Sequence, residues 1–291
     1  MAHGAVKHDY HILPPSPWPL VGSVASTIMA IGLIGWLKGG VLGIEKGNWA
    51  IFAAGFAGVL YTFFGWWSDV AKEAKAGDHT PVVSIGLRYG MILFIASEVM
   101  FFVAWFWMFF EMALFPEART VSTIEEVRTA WATWPPAGVE TVSPWHLPLV
   151  NTLTLLLSGT TVTWAHHALQ EGDRNGAKWG LILTVLLGAL FTAIQFYEYA
   201  HINHEQLFYS EAAVNSGLYG STFFLATGFH GFHVFVGTLF LIVCLIRLQN
   251  GAFTPKQHFG FEAAAWYWHF VDVVWLFLFA FIYVIFGASA H

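Results

Sequence analysis

The sequence predicts an all-α, polytopic membrane protein with seven transmembrane helices. Of its 291 residues, 57% are hydrophobic and only 10% charged, a balance far outside that of water-soluble domains. The mean hydropathy is +0.60. The apolar residues also gather into seven windows, each near the roughly 20 residues that a helix needs to cross a bilayer. Dividing the length by a soluble domain size would suggest two domains, a prior that fails when apolar stretches are spans.

The spans fall near 17–37, 47–68, 82–113, 145–170, 176–203, 217–248 and 257–287. The first carries Gly22, Ser26 and Ala30 at i, i+4 and i+8, a spacing that lets two backbones approach closely in lipid. The second, beginning at Gly47, is less clean. The third holds FIASEVMFFVAWFWMFF, residues 94–110, with the single carboxylate of Glu98 among aliphatic and aromatic side chains. After it comes the longest loop, residues 114–143, whose charges and prolines make it an extramembrane segment. The fourth span opens at Ser143-Pro144, read as a cap followed by proline in the first turn. Its SGTTVTW stretch is polar for a span. The sixth contains ATGFHGFHVFVG and the seventh FEAAAWYWHFVDVVW. No internal repeat appears, and no pair of short broken helices of the kind that marks secondary transporters.

Seven spans put the termini on opposite sides. The N-terminal side then holds Lys7, Lys72, Lys75, Arg88, Arg174, Lys178, Arg247 and Lys256, and the other side Lys38, Lys46, Arg119 and Arg128. The positive-inside bias therefore places the N-terminus in the cytoplasm, or its mitochondrial equivalent, and the C-terminus in the periplasm. The first 20 residues lack the basic region, apolar core and cleavage site of a secretory signal, so insertion is expected to rely on the first span. One cysteine, Cys244, excludes an intrachain disulfide and any Cys-x-x-Cys site. The formal net charge of −6 comes without a polybasic run, and no nucleic-acid partner is expected.

Polar groups inside the spans are the candidate functional residues, because an ionisable group at bilayer depth costs at least ~2.5 kcal/mol and needs a partner or a task. Glu98 stands ten residues beyond Arg88, about 15 Å of helix rise. Its open roles are a proton-relay group, a tie to another helix, or a neutral carboxyl satisfied by a neighbour. If it is a tie, His230 or His233 of the sixth span is the candidate partner and Asp272 the rival. His230 and His233 share a helix face, yet two imidazoles are too few for a closed metal site, which favours histidines hydrogen-bonded within the bundle. His269 and Asp272 share a face of the seventh span, and so deep an acid needs a partner. WWSDVAKEAKAGDHTP and CLIRLQNGAFTPKQH mix Trp, Lys, Arg, Glu and His beside apolar helix. Aromatic belts and snorkelling cations produce that pattern, and so does a lipid phosphate clamp. There is no Gly-rich phosphate loop, no nucleophile with a base and no clear haem-ligand arrangement. The residues by themselves predict no catalytic group and no metal in this chain.

HDYHILPPSPWPL, FGWWSDV, DHTPVV, GLRYGMILFIASEVMFFVAWFW, PWHLPLVNTLTLLLSG, VTWAHHAL, ATGFHGFHV and QHFGFEAAAWYWHFVDVVWLFLF follow one another as in a known family. Over its whole length the chain resembles subunit III of the aa-type haem-copper cytochrome c oxidases, most nearly their bacterial members. Both first spans are present, unlike in the related quinol oxidases. The resemblance implies two helices, residues 1–75 with the N-terminal tail, standing apart from a five-helix bundle, residues 76–291. A V-shaped cleft between them would hold phospholipid. It implies headgroup contacts at Trp67, Glu73, His79 and Arg247, and it matches Glu98 to the family's carbodiimide-reactive carboxylate. It also implies partners: subunit I, which carries haem a and copper, subunit II, and cytochrome c through the complex only. This chain would then carry no cofactor of its own and sit in the bacterial inner membrane, or in the mitochondrial inner membrane of a eukaryote. Its role would be to support assembly, sustained turnover and proton uptake of an oxidase that pumps protons while reducing oxygen. The residues leave one other class open: a stand-alone proton transporter or channel through Glu98, the paired histidines and Asp272. Proton flux through liposomes holding the chain alone separates the two, and metal at unit stoichiometry would mark a metalloenzyme.

Overall fold

Long apolar stretches without interior proline leave helix as the form that satisfies every backbone group in a bilayer, and helices dominate the computed structural model. It describes residue 10 and residues 14–116, 125–204 and 216–287. Lys7 and Arg119, counted above, lie outside them. The described helices are α1 (Trp18–Lys38), α2 (Ala50–Ala76), α3 (Pro81–Leu114), the short α4 (Glu125–Ala130), α5 (Leu147–Gln170), α6 (Arg174–His204), α7 (Ser216–Gln249) and α8 (Phe259–Leu278). α8 continues as a π-helical segment, Phe279–Ile285. Among the described residues six helices are long and apolar enough to cross a membrane: α1, α2, α3, α6, α7 and α8 with its π extension. The remaining long helix, α5, has 24 residues and no Asp, Glu, Lys or Arg. Its hydropathy is lowered by Pro148, Asn151 and a run of Ser and Thr, and four of those hydroxyls turn back onto the helix. Thr152 bonds Pro148 O, Thr154 bonds Val150 O, Ser158 bonds Leu155 O and Thr163 bonds Gly159 O, at 2.6–2.9 Å. With the hydroxyls satisfied internally, the cost of placing them in the membrane falls.

The chain divides into two compact units, Met1–Leu87 and Arg88–His291. In the first, α1 and α2 form an antiparallel hairpin held by close backbone approach. A Cβ on Gly32 would come within 2.3 Å of Phe52 N, and one on Gly55 within 2.3 Å of Met29 N. The buried stripe of α1 is Ala25, Gly32 and Gly35. This corrects the expected Gly22, Ser26 and Ala30: only Gly22 touches α2, at Thr62, whereas Ser26 and Ala30 are exposed. A strict i, i+4 series drifts around a helix of 3.6 residues per turn, and the contact line follows i, i+7, i+10 instead. The open end of the hairpin is tied by Trp18 Nε1, which donates to Asp69 Oδ2 at 2.7 Å, while Lys72 Nζ lies 2.7 Å from Asp69 Oδ1. α2 runs two turns past the expected boundary through the charged DVAKEAKA. It ends at Gly77, whose φ of 87° lets Asp78 N reach back to Glu73 O.

In the second unit α5, α6, α7 and α8 pack around a core of Phe191, Trp268, Trp275, Phe261 and Leu181, all essentially inaccessible. Trp268 shows why small residues stand where they do. Its ring fills a slot left by Gly188 and Gly237, where an added Cβ would come within 2.7 and 3.0 Å of the indole. Its Nε1 donates to Ser158 Oγ at 2.8 Å, as Trp275 Nε1 does to Thr152 Oγ1 at 2.9 Å. The start of α5 is a second correction. Helix begins at Leu147 after His146, with no side-chain cap and with Pro148 in the first turn; Ser143-Pro144 lies in the preceding turn. α6 is capped properly, because Asp173 Oδ1 accepts from Asn175 N and Gly176 N at 3.1 and 2.9 Å.

Candidate functional site

Glu98 and His233 meet across α3 and α7. Both helices are apolar nearly all round, so a polar side chain on either is stable only where another reaches it. Glu98 Oε2 lies 2.8 Å from His233 Nε2, and His233 Nδ1 donates to Phe229 O at 2.6 Å. The second bond constrains the first. A carbonyl only accepts, so Nδ1 carries a hydrogen, and a neutral His233 presents a bare Nε2. The contact therefore holds one proton between an acid and an imidazole, wherever along it that proton rests. The His233 ring is boxed by Phe102 at 4.9 Å, Phe101 at 5.8 Å and Tyr267 at 6.4 Å. Its side chain is 9% exposed, against 23% for Glu98. The pair thus opens on the α3 side and is closed on the other.

His230, one turn away, does not join them. Its Nε2 donates to Val271 O on α8 at 3.1 Å and its ring lies 5.0 Å from that of Trp275, tilted by 34°. The two histidines bond to different helices and do not converge on a point. Among the described residues no three His, Cys, Asp or Glu side chains group as a metal site. Asp272, the rival partner for Glu98, turns instead toward α5. Its Oδ2 occupies space that only Gly159 leaves open, 2.3 Å from where a Cβ would stand. The ionisable neighbour of Asp272 is His269, at 3.8 Å, too long for a direct hydrogen bond. His269 Nε2 in turn donates to Thr163 Oγ1 at 3.1 Å, since that hydroxyl spends its own hydrogen on Gly159 O.

The four residues matched to headgroup contacts are distributed over both units. In the first unit Trp67 is 68% exposed and stacks on Phe63 at 5.3 Å. Glu73 lies in the last turn of α2, and His79 in the turn before α3. In the second unit the Arg247 guanidinium sits 4.7 Å above the Phe253 ring. Among the described residues no carboxylate pairs with it. Arg174, by contrast, is spent on carbonyls, donating to Phe253 O at 2.8 Å and to Leu248 O.

Two features escaped the sequence reading. Arg88 of α3 forms a forked pair with Glu262 of α8, Nε to Oε1 at 3.1 Å and the terminal nitrogen to Oε2 at 3.0 Å. The signal was present: Glu98 and Asp272 each stand ten residues further along their helices, so Arg88 and Glu262 share a level. The other is Glu198 of α6, which is 2% exposed and accepts from Tyr283 OH at 2.8 Å. The rule that singles out Glu98 applies equally to this acid within QFYEYAH.

A family model described as Cytochrome c oxidase subunit III matches residues 8–287. The chain belongs to the cytochrome c oxidase subunit III family. Among its relatives, "Cytochrome c oxidase subunit 3" of Marchantia polymorpha is 50% identical over 278 residues, covering 95% of this chain and 96% of that protein. The protein of the same name from Danio rerio is 49% identical over 284 residues, 97% of this chain and 98% of that one. That from Rattus norvegicus is 46% identical over 277 residues, 95% and 97% respectively. The Glu98–His233 pair is thus a contact inside a multi-pass membrane protein of the subunit III family.

Proposed function

We propose that this chain is a subunit without redox centres in a proton-pumping cytochrome c oxidase, the complex that passes electrons from cytochrome c to oxygen, and that it supports assembly, turnover stability and proton uptake of the haem-bearing subunit I. The observation that carries this reading is the match to subunit 3 proteins along nearly the whole of both chains. The polar geometry is in keeping with it. The Glu98–His233 bond ends at Nδ1 on a carbonyl of the same helix, and a carbonyl hands no proton onward, so the pair suits a tie between helices better than a relay. Haem a and copper then belong to partner chains, and subunit II and cytochrome c act through the complex. The membrane is the bacterial inner membrane or its mitochondrial counterpart, with the N-terminus inside. Phospholipid is the small ligand. Arg247 supports this, because its guanidinium rests on an aromatic face with its donors turned to no described carboxylate, the arrangement that takes a phosphate oxygen. Trp67, Glu73 and His79 complete the expected headgroup contacts.

The test is affinity purification through a tag on this chain. Haem a and copper in larger co-purifying chains, with cytochrome c oxidation, are the expected result. Purification of the chain alone, carrying proton flux in liposomes, would overturn the reading.

A further inference from the structure

Asn151 of α5 is fully buried, and neither its Oδ1 nor its Nδ2 has a hydrogen-bond partner; Glu198 of α6 is 2% exposed, and its Oε2 has none either. The two stand close in level. Thr161 meets Thr184 at 2.7 Å, and Ala165 packs on Gly180, which sets an antiparallel register between α5 and α6. Following that register ten residues from Thr161 to Asn151 brings α6 to Ile194, about one turn, or ~6 Å, short of Glu198. Asn151 also adjoins Thr152, the acceptor for Trp275, whose ring lies 5.9 Å from that of Tyr283, the donor to Glu198 Oε1. Tyr283 is placed by the π-helical segment Phe279–Ile285, and such segments recur where a helix re-aims one side chain for a task.

We infer that Asn151, Glu198 and Tyr283 form an internal binding site for water between α5, α6 and the π-helical end of α8. The orphaned atoms select the ligand. Asn151 needs both a donor and an acceptor. Glu198 Oε2 needs a donor if the group is a carboxylate and an acceptor if it is the acid. A metal ion would satisfy Asn151 Oδ1 and Glu198 but leave the Asn151 amide hydrogens facing it. Water donates and accepts, so one kind of molecule answers the needs of both residues. The site goes beyond the proposed oxidase role, since neither redox chemistry nor the Glu98 contact enters it. Its consequence is a polar, exchangeable element inside a core dominated by aromatic side chains.

A cryo-electron map of the chain in its native complex, sharp enough to show ordered water, tests this directly. Density within hydrogen-bond distance of both Glu198 Oε2 and the Asn151 amide is the expected result. Direct Asn151–Glu198 bonding, both side chains ordered with nothing between them, or a stoichiometric metal on elemental analysis would each overturn it. A double-mutant cycle keeps the inference testable if single variants fold poorly. Asn151→Leu and Glu198→Leu each strand the water and the other residue, so the double variant should be retained in the complex roughly threefold or more above the product of the singles. Strict multiplicativity overturns the shared site.

Discussion

Replacing Glu98 tests whether the bond to His233 holds helices or moves protons. Glu98→Leu removes one hydrogen bond of 2.8 Å and leaves Nε2 of a 9% exposed imidazole inside an aromatic box. Hydrogen bonds between membrane helices are worth about 0.6 kcal/mol on average and at most ~1.7, and stranding a buried polar atom adds about 1–3 kcal/mol. Leucine recovers part of that through apolar contact. α3 also keeps independent hold of α7, because Phe101 and Trp105 pack on Phe229 at 5.0 and 4.9 Å. The net expectation is about 1–2 kcal/mol, a factor of roughly 5–30 in the equilibrium that keeps α3 docked. Glu98→Gln should cost far less. With Nδ1–H engaged by Phe229 O, the Gln amide donates to the bare Nε2 and reproduces the bond. The assay is retention of the chain in affinity-purified oxidase over a detergent series, followed by proton pumping in proteoliposomes. The expected order is wild type, then Gln close behind, then Leu, with pumping near normal in the Gln variant. A Gln variant that assembles fully and does not pump would refute the tie and establish a relay. A Leu variant retained like wild type would show that the bond holds nothing.

Arg247→Ala should release a tightly bound phospholipid and shorten the working life of the complex, because a charge-assisted phosphate contact is lost; unchanged lipid by mass spectrometry of the purified complex would count against the headgroup assignment. Replacing both His230 and His233 with Gln should leave the iron and copper content of the complex unchanged, and loss of either metal on elemental analysis would show that one of them is a ligand. Gly55→Leu should open the α1–α2 hairpin, since even a Cβ meets Met29 N at 2.3 Å and overpacking of this kind costs about 1–3 kcal/mol; rapid proteolysis of the N-terminal unit is the readout. Arg88→Met should loosen α3 from α8 and be matched by Glu262→Met, with the double variant no worse than either single, as measured by retention in the complex.

Helix existence was legible because period and length suffice in a membrane: all seven long helices lie where the apolar windows place them. Their edges were less so. α2 overran its window because DVAKEAKA is charged but helix-forming, and α5 started late because Pro144 does not force a first turn. Contact faces were poorly legible, as the Gly22, Ser26 and Ala30 stripe shows: small residues are common in such helices, and only the partner's shape decides which are used. For Glu98 the sequence narrowed the partner to three side chains by depth, and azimuth, which depth cannot supply, decided among them. Arg88–Glu262 could have been found by the same depth argument. The pairing of Glu198 with Tyr283 depends on a π-helical turn, and nothing in FAFIYVI announces one.

The hydroxyl-lined α5 has a consequence for synthesis. Its side-chain donors Trp268 and Trp275 lie 110 and 123 residues downstream, so α5 reaches the insertion machinery long before they exist. Its first available companion is α6, three residues after α5 ends and joined to it through Thr161 and Thr184. Because the hydropathy of α5 is marginal, entry into the bilayer should be a joint act of the two helices as one hairpin. A nascent chain truncated after α5 should linger at the translocation channel, whereas one truncated after α6 should leave it.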